Sequence, residues 1–224
     1  MLLRRADATI GDLFSAVATS GARESLAPGV ALLRGFATPL DAALANAVRD
    51  VSAAAPFRRM ITPGGFTMSV AMTNCGAYGW MSDERGYRYS AVDPDTERPW
   101  PAMPAEIADL ASRAAAAAGF DAFAPDACLV NRYSPGARLT LHQDKDERDM
   151  SQPIVSVSLG VPAVFLFGGM KRKERPLRLD LEHGDVVVWG GPARLRYHGV
   201  AALKAAHHPF AGADRINLTL RRAR

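Results

Sequence analysis

From Ala127 onward, short stretches dense in branched and aromatic residues alternate with turns built from glycine, proline and aspartate. Leu129–Tyr133 is followed by the turn Ser134-Pro135-Gly136-Ala137. Then come Arg138–His142, Ile154–Leu159, Ala163–Phe167, Leu177–Leu181, Asp185–Trp189, Leu195–His198 and Arg215–Arg221. Segments this short and this regularly punctuated read as strands of a sandwich or barrel. Two helices precede them. Thr38-Pro39-Leu40-Asp41 reads as a helix start, with Thr38 as cap, Pro39 at the first helical position and Asp41 at the positive end of the dipole. The Ala-rich run that follows reaches Ala55 and is closed by Pro56. A second helix is predicted over 105–118, stopped by Gly119. Helices covering one face of a two-layered sheet give an α+β, mainly β fold with an inward-facing site.

Between the helices, Asn74-Cys75-Gly76-Ala77-Tyr78-Gly79-Trp80, then Tyr87 and Tyr89, carry too much glycine for a helix and too many aromatics for a linker. Strands and turns presenting a binding surface are expected there. The 224 residues are enough for one substantial domain, and the formal charge of +4 is a mild bias toward anionic partners. Cys75 and Cys128 are the only cysteines, so a disulfide framework and a structural zinc site are not expected. The first residues lack the apolar run of a signal peptide, and no stretch approaches the roughly 18 apolar residues that span a bilayer, so a cytoplasmic protein is expected.

The chemistry concentrates in His142-Gln143-Asp144. In extended chain, alternate side chains share a face, so His142 and Asp144 can grip one ion, with His198 the best third ligand. Two imidazoles and a carboxylate on one face of a metal leave positions open for a cosubstrate and O2, an arrangement suited to non-haem Fe(II). Such a motif alone is weak, since a surface His and Asp near a turn would read the same. Arg215-Ile216-Asn217-Leu218-Thr219-Leu220-Arg221 adds weight. In a strand, Arg215, Asn217, Thr219 and Arg221 share a face, and two arginines on a core strand are costly unless each meets an anion. A small dicarboxylate held by parallel guanidinium hydrogen bonds would supply one.

These motifs, with Asn131-Arg132-Tyr133, the run His142 through Glu147, Pro153 through Gly160 and His183-Gly184-Asp185 through Gly191, resemble the signature of the AlkB family of Fe(II)- and 2-oxoglutarate-dependent dioxygenases. The match runs from Gly64 to Arg221. The resemblance implies a double-stranded β-helix (jelly-roll, cupin-like) core with N-terminal helices and a nucleotide-recognition lid. One catalytic domain, 1–224, is expected, with a lid (about 64–90) and a helix with the jelly-roll core (about 91–224) that the resemblance covers, and an N-terminal extension and helix (about 1–63) that it does not assign. The resemblance implies that His142, Asp144 and His198 bind Fe(II). Arg215 would hold the far carboxylate of 2-oxoglutarate with Tyr133, Arg221 and Asn131 would lie near its chelating end, and Asn217 would order the pocket. Trp80 would stack on the base, Tyr87 and Met72 would line the pocket, and Asp146 would meet an exocyclic amine. The implied activity is oxidative removal of alkyl groups from bases of the 1-methyladenine and 3-methylcytosine type, with 2-oxoglutarate and O2 consumed. Implied substrates are alkylated single- or double-stranded DNA and RNA; nothing in the sequence demands a dimer, so a monomer with no obligate protein partner is expected.

Plain readings stand beside these. Met72 and Trp189 read first as core, Trp80 as half-buried packing, and Tyr87 as surface. Asp146 can be one charge of the solvated run 145–149, and His183 reads as structural. His207-His208 point opposite ways in extended chain, so they make a poor metal pair. Lys171-Arg172-Lys173-Glu174-Arg175 reads as a phosphate-reaching loop, Arg172 included, or as a solvated hairpin tip. Two other functions compete: the same oxygenase acting only on RNA, on a protein or on a small molecule, and a jelly-roll binding module with a structural metal.

Overall fold

The computed structural model describes residues 22–224. The first 21 residues, part of the extension expected over 1–63, lie outside the described residues. The chain opens with β1 (Arg23–Ala27) and β2 (Val30–Leu33), a hairpin that sequence reading missed, and continues into α1 (Asp41–Ala54). Then come β3 (Ala71–Gly76), the hairpin β4 (Gly79–Asp83) and β5 (Gly86–Ser90), the short pair β6 (Val92–Asp93) and β7 (Arg98–Pro99), and α2 (Ala105–Ala117). The remaining strands are β8 (Ala127–Tyr133), β9 (Leu139–His142), β10 (Ile154–Gly160), β11 (Ala163–Phe167), β12 (Leu177–Leu181), β13 (Val186–Trp189), β14 (His198–Val200) and β15 (Arg215–Arg221).

Two antiparallel sheets form the core, one ordered β1-β2-β13-β10-β15-β8-β3 and the other β12-β11-β14-β9. From β8 to β15 the chain changes sheet at every step except from β11 to β12. That alternation is the winding of a jelly roll, and the fold is mainly β, as expected.

Residue periodicity explains the layering. On β10 and β13, Val155, Val157, Val186 and Val188 face α1 and α2, packing with Leu44, Val51, Ile107 and Leu110 in one apolar cluster. In α2 the buried Ile107, Leu110, Ala111, Ala114 and Ala115 recur at the spacing of one helical face. The alternate residues of the same strands, Ile154, Val187 and Trp189, pack with Phe165, Phe167 and Val200 between the two sheets. On β15 the apolar set Ile216, Leu218 and Leu220 faces the helices, which leaves the polar set facing the cleft between the sheets.

Several local expectations change. Thr38 does not cap α1: Thr38–Leu40 form a 3-10 turn, Leu40 holds the cap position, and no side chain bonds there. Asp41 does sit in the first turn, where His183 Nε2 bonds its carboxylate at 2.8 Å. The strand expected over 195–198 begins only at His198, because Ala193–Tyr197 turn sharply, with Arg196 N–H donating to Ala193 O and Tyr197 N–H to Gly169 O. Cys75 and Cys128 are opposite one another across β3 and β8, both buried and both free.

Candidate metal and cosubstrate site

His142 ends β9 and His198 begins β14, and the two are direct cross-strand partners. Their ring centroids are 4.4 Å apart. Asp144 lies just beyond β9, with one carboxylate oxygen 3.6 Å from His142 Nε2 and the other 3.5 Å from His198 Nε2. Ligand atoms of all three lie within 4.8 Å of one another, and no other group of three such residues does so among the described residues. The alternation that put His142 and Asp144 on one face therefore holds even though the strand ends between them.

Both imidazoles are set to coordinate. His142 Nδ1 lies 2.9 Å from Thr140 O, and His198 Nδ1 lies 3.1 Å from Arg196 O. Each carbonyl fixes a proton on Nδ1 and leaves the Nε2 lone pair facing Asp144. Lost solvation, then the facing His198, lower the His142 imidazole to about 4, so it is neutral near neutral pH. Burial alone would raise Asp144, but Arg221 and then His198 outweigh it and hold the carboxylate well below its usual range. Trp189 closes the wall behind His198, ring to ring at 4.9 Å.

The inward face of β15 and its neighbours is polar in the way a small anion requires. Asn217 donates to Ser156 Oγ at 2.8 Å and to Val157 O at 3.0 Å, while its own oxygen accepts from Asn131 at 3.2 Å and from Thr219 at 2.9 Å. Arg215 is 1% exposed, and only its Nη2 has a partner, Ser158 Oγ at 3.0 Å. Its Nε and Nη1 are buried with no acceptor, and so is Asn131 Oδ1 with no donor. Burial lowers the Arg215 pKa, since no carboxylate offsets it, and pushes the Tyr133 hydroxyl up to about 12. A buried guanidinium with two donor nitrogens unpartnered within the protein suits a small anion, and the carboxylate of 2-oxoglutarate fits.

Arg221 differs. It donates to Asp144 Oδ2 through Nε at 2.9 Å and through Nη2 at 2.6 Å, so its first anion is the carboxylate of the candidate metal ligand. Sequence reading missed several of its neighbours. Glu147 and Arg194 are buried and pair at 3.0 Å, and Tyr89 donates its hydroxyl to Glu147 at 2.7 Å. Nothing in the charged run 145–149 marks Glu147 as the buried one. Ser156 and Ser158 did carry a signal, because they alternate with Val155, Val157 and Leu159 along a core strand.

The aromatic lid is the β4–β5 hairpin. Asn74 pins it, accepting from Trp80 N–H at 3.0 Å and donating to Trp80 O at 3.1 Å. The Trp80 and Tyr87 rings stack, centroids 5.5 Å apart and planes 14° off parallel. Trp80 Nε1 donates to Asp146 Oδ2 at 2.9 Å, so the lid and the metal-ligand segment are joined. Met72 is 2% exposed, on β3 opposite Asn131, and packs with Met60, Val70 and Leu129. Arg172 is exposed in the loop between β11 and β12. His208 stacks on His183 at 4.3 Å, and neither belongs to a group of three candidate metal ligands among the described residues.

Comparison with known proteins places this geometry. Residues 29–221 match the model of the 2OG-Fe(II) oxygenase superfamily. The chain is 58% identical over 201 residues to the alpha-ketoglutarate-dependent dioxygenase AlkB of Salmonella typhimurium and, equally, to that of Escherichia coli, covering 90% of this chain and 93% of each relative. Among solved structures, OsALKBH1 superposes with a TM-score of 0.79 at 29% identity, over 90% of this chain and 100% of that one.

Proposed function

The chain belongs to the 2OG-Fe(II) oxygenase superfamily, and from that we propose that it removes alkyl groups oxidatively from damaged nucleobases in DNA, and in RNA as well. Its working set is Fe(II), 2-oxoglutarate and O2. Bound together, these supply the oxidant that hydroxylates an N-linked alkyl carbon, which then leaves the base as an aldehyde, while 2-oxoglutarate becomes succinate and CO2.

The protein's part is to bind and to orient. His142, Asp144 and His198 hold the metal from one side. The unspent donors of Arg215 take the far carboxylate of 2-oxoglutarate, with Ser158 and Tyr133 beside them. Asn131 and Asn217 line the floor toward the chelating end, and Arg221 would hold the Asp144 carboxylate in place for the metal. An alkylated base such as 1-methyladenine is cationic and cannot pair, so its extrusion costs less than that of an intact base. Trp80 and Tyr87 offer such a ring an aromatic face, and Met72 packs below. Asp146 exchanges the Trp80 indole for the exocyclic amine. The exposed Lys171 and Arg172 meet phosphates.

The observation that carries this reading is the bond from Trp80 to Asp146, which sets an aromatic platform and a carboxylate beside the metal triad. Alkylated single- and double-stranded DNA, a monomeric state, a single catalytic domain and a cytoplasmic setting belong to the same proposal. No helix of the described residues is long and apolar enough to cross a membrane. The test is anaerobic loading with Fe(II), then 2-oxoglutarate, O2 and an oligonucleotide bearing one 1-methyladenine, with His142→Ala as control. Equimolar succinate and formaldehyde are expected from wild type and neither from the variant. Succinate without formaldehyde would move the substrate elsewhere, to a peptide or small molecule, and neither product would remove the enzyme reading.

A further inference from the structure

The β4–β5 hairpin touches the segment after Asp144 at two consecutive residues. Trp80 and Tyr89 face each other across the hairpin. Trp80 reaches Asp146, and Tyr89 reaches Glu147 Oε1 at 2.7 Å. The first contact is one that a bound base would take over. The second is buried and continues inward.

Glu147 is 6% exposed and fully engaged. Its Oε2 accepts from Arg194 Nη2 at 3.0 Å, and its Oε1 lies 3.4 Å from Arg221 Nε. Arg194 also donates to Asp144 O at 2.7 Å and to Gln152 O at 2.9 Å, so the irregular 144–152 segment is laced to one buried guanidinium. Arg221 closes the circuit with its two bonds to Asp144 Oδ2, and its Nη1 lies 3.4 Å from the Tyr89 hydroxyl. A continuous set of hydrogen bonds and one ion pair, Glu147 to Arg221, thus leads from a lid strand to a candidate metal ligand. In a buried setting such bonds polarise one another, so loss of one member is felt along the set. Burial raises the Tyr89 hydroxyl well above its usual range, keeping it a proton donor.

We propose that Tyr89 is a positioning residue whose hydroxyl, through Glu147 and Arg221, couples the base-holding hairpin to the orientation of Asp144. The inference rests on the dealkylase reading above and deepens it. When the hairpin is seated on a base, Asp144 would be held in the orientation that suits metal binding. When it is not seated, the ligand is held less well and consumption of 2-oxoglutarate runs uncoupled from dealkylation.

Tyr89→Phe tests this, since it keeps the ring packed with Ala127 and Ala223 and deletes only the oxygen. A modest fall in melting temperature is expected, while the visible absorption of its anaerobic Fe(II)/2-oxoglutarate complex should match wild type. Adding the 1-methyladenine oligonucleotide should perturb that absorption in wild type but not in the variant. Succinate formed per formaldehyde should rise roughly fivefold, the order set by one lost buried hydrogen bond. Glu147→Gln should reproduce the higher ratio, because it keeps an acceptor for Tyr89 but weakens the grip on Arg221. A Tyr89→Phe protein with wild-type absorption response and product ratio would overturn the proposal. So would one that loses the absorption before any oligonucleotide is added, because the hydroxyl would then support the site itself. Absence of formaldehyde from wild type would instead bring down the dealkylase reading and the coupling with it.

Discussion

At the residue scale, the site is organised around arginines whose charges are answered to different degrees. Arg221 is satisfied inside the protein: burial would lower its pKa, but Asp144, then Tyr89 and Glu147, outweigh that and raise it. Arg215 has no such partner, and two of its donors stay buried without an acceptor. An unpaired buried charge destabilises a fold, and under the proposed function the carboxylate of 2-oxoglutarate would offset that cost at Arg215. Arg215→Met is expected to melt higher than wild type when no 2-oxoglutarate is present. With iron and 2-oxoglutarate under anaerobic conditions, wild type should gain stability and the variant should not. Binding of the cosubstrate should weaken about a hundredfold, the scale of losing one partner of a buried charge pair. Equal thermal gains in both proteins would show that Arg215 does not receive the carboxylate.

At the scale of elements, the metal site depends on how β9 and β14 meet. His142 and His198 are brought together by their cross-strand pairing, and the register slips just after, between His198 and Val200. Gly199 occupies that slip, and a Cβ there would stand 2.6 Å from Leu139 O, a backbone atom that cannot swing away. Gly199→Ala is therefore expected to push the two strands apart. Iron affinity, read by anaerobic titration, should fall by about tenfold or more, the scale at which disturbed ligand support affects metal binding. Affinity equal to wild type would mean that the site tolerates strand displacement. Much of this level was legible beforehand. Ile154, Ala163, Leu177 and Arg215 open strands as expected, because Gly and Pro turns bound them and their residues alternate. The strand expected at 195–198 was misplaced because Arg194 turns inward to Asp144 O and Glu147, a contact no local pattern encodes.

At the scale of the molecule, the formal charge of +4 is modest, so attraction to nucleic acid depends on where cations lie. The 171–175 loop is held closed by Lys171 N–H donating to Glu174 Oε1 and Glu174 N–H to Lys171 O, which leaves the Lys171, Arg172 and Lys173 side chains exposed. Lys171→Glu with Arg172→Glu is expected to weaken oligonucleotide binding and to lower the slope of log affinity against log salt by about 1 to 2. Unchanged affinity across a salt series would make the loop a solvated tip.

The amino-acid sequence by itself determined what could be read from periodicity within one segment. His142 and Asp144 share a side, Arg215 and Asn217 face away from Ile216 and Leu218, and the Gly- and Pro-bounded strands imply a two-layered β fold. Only the tertiary structure decided which distant groups meet. It paired His142 with His198, gave Arg221 to Asp144, buried Glu147 between two arginines and a tyrosine, and added β1 and β2 to the large sheet. The physical reason is that side-chain direction follows from local backbone geometry, whereas the partner of a buried charge is set by packing between segments far apart in the chain.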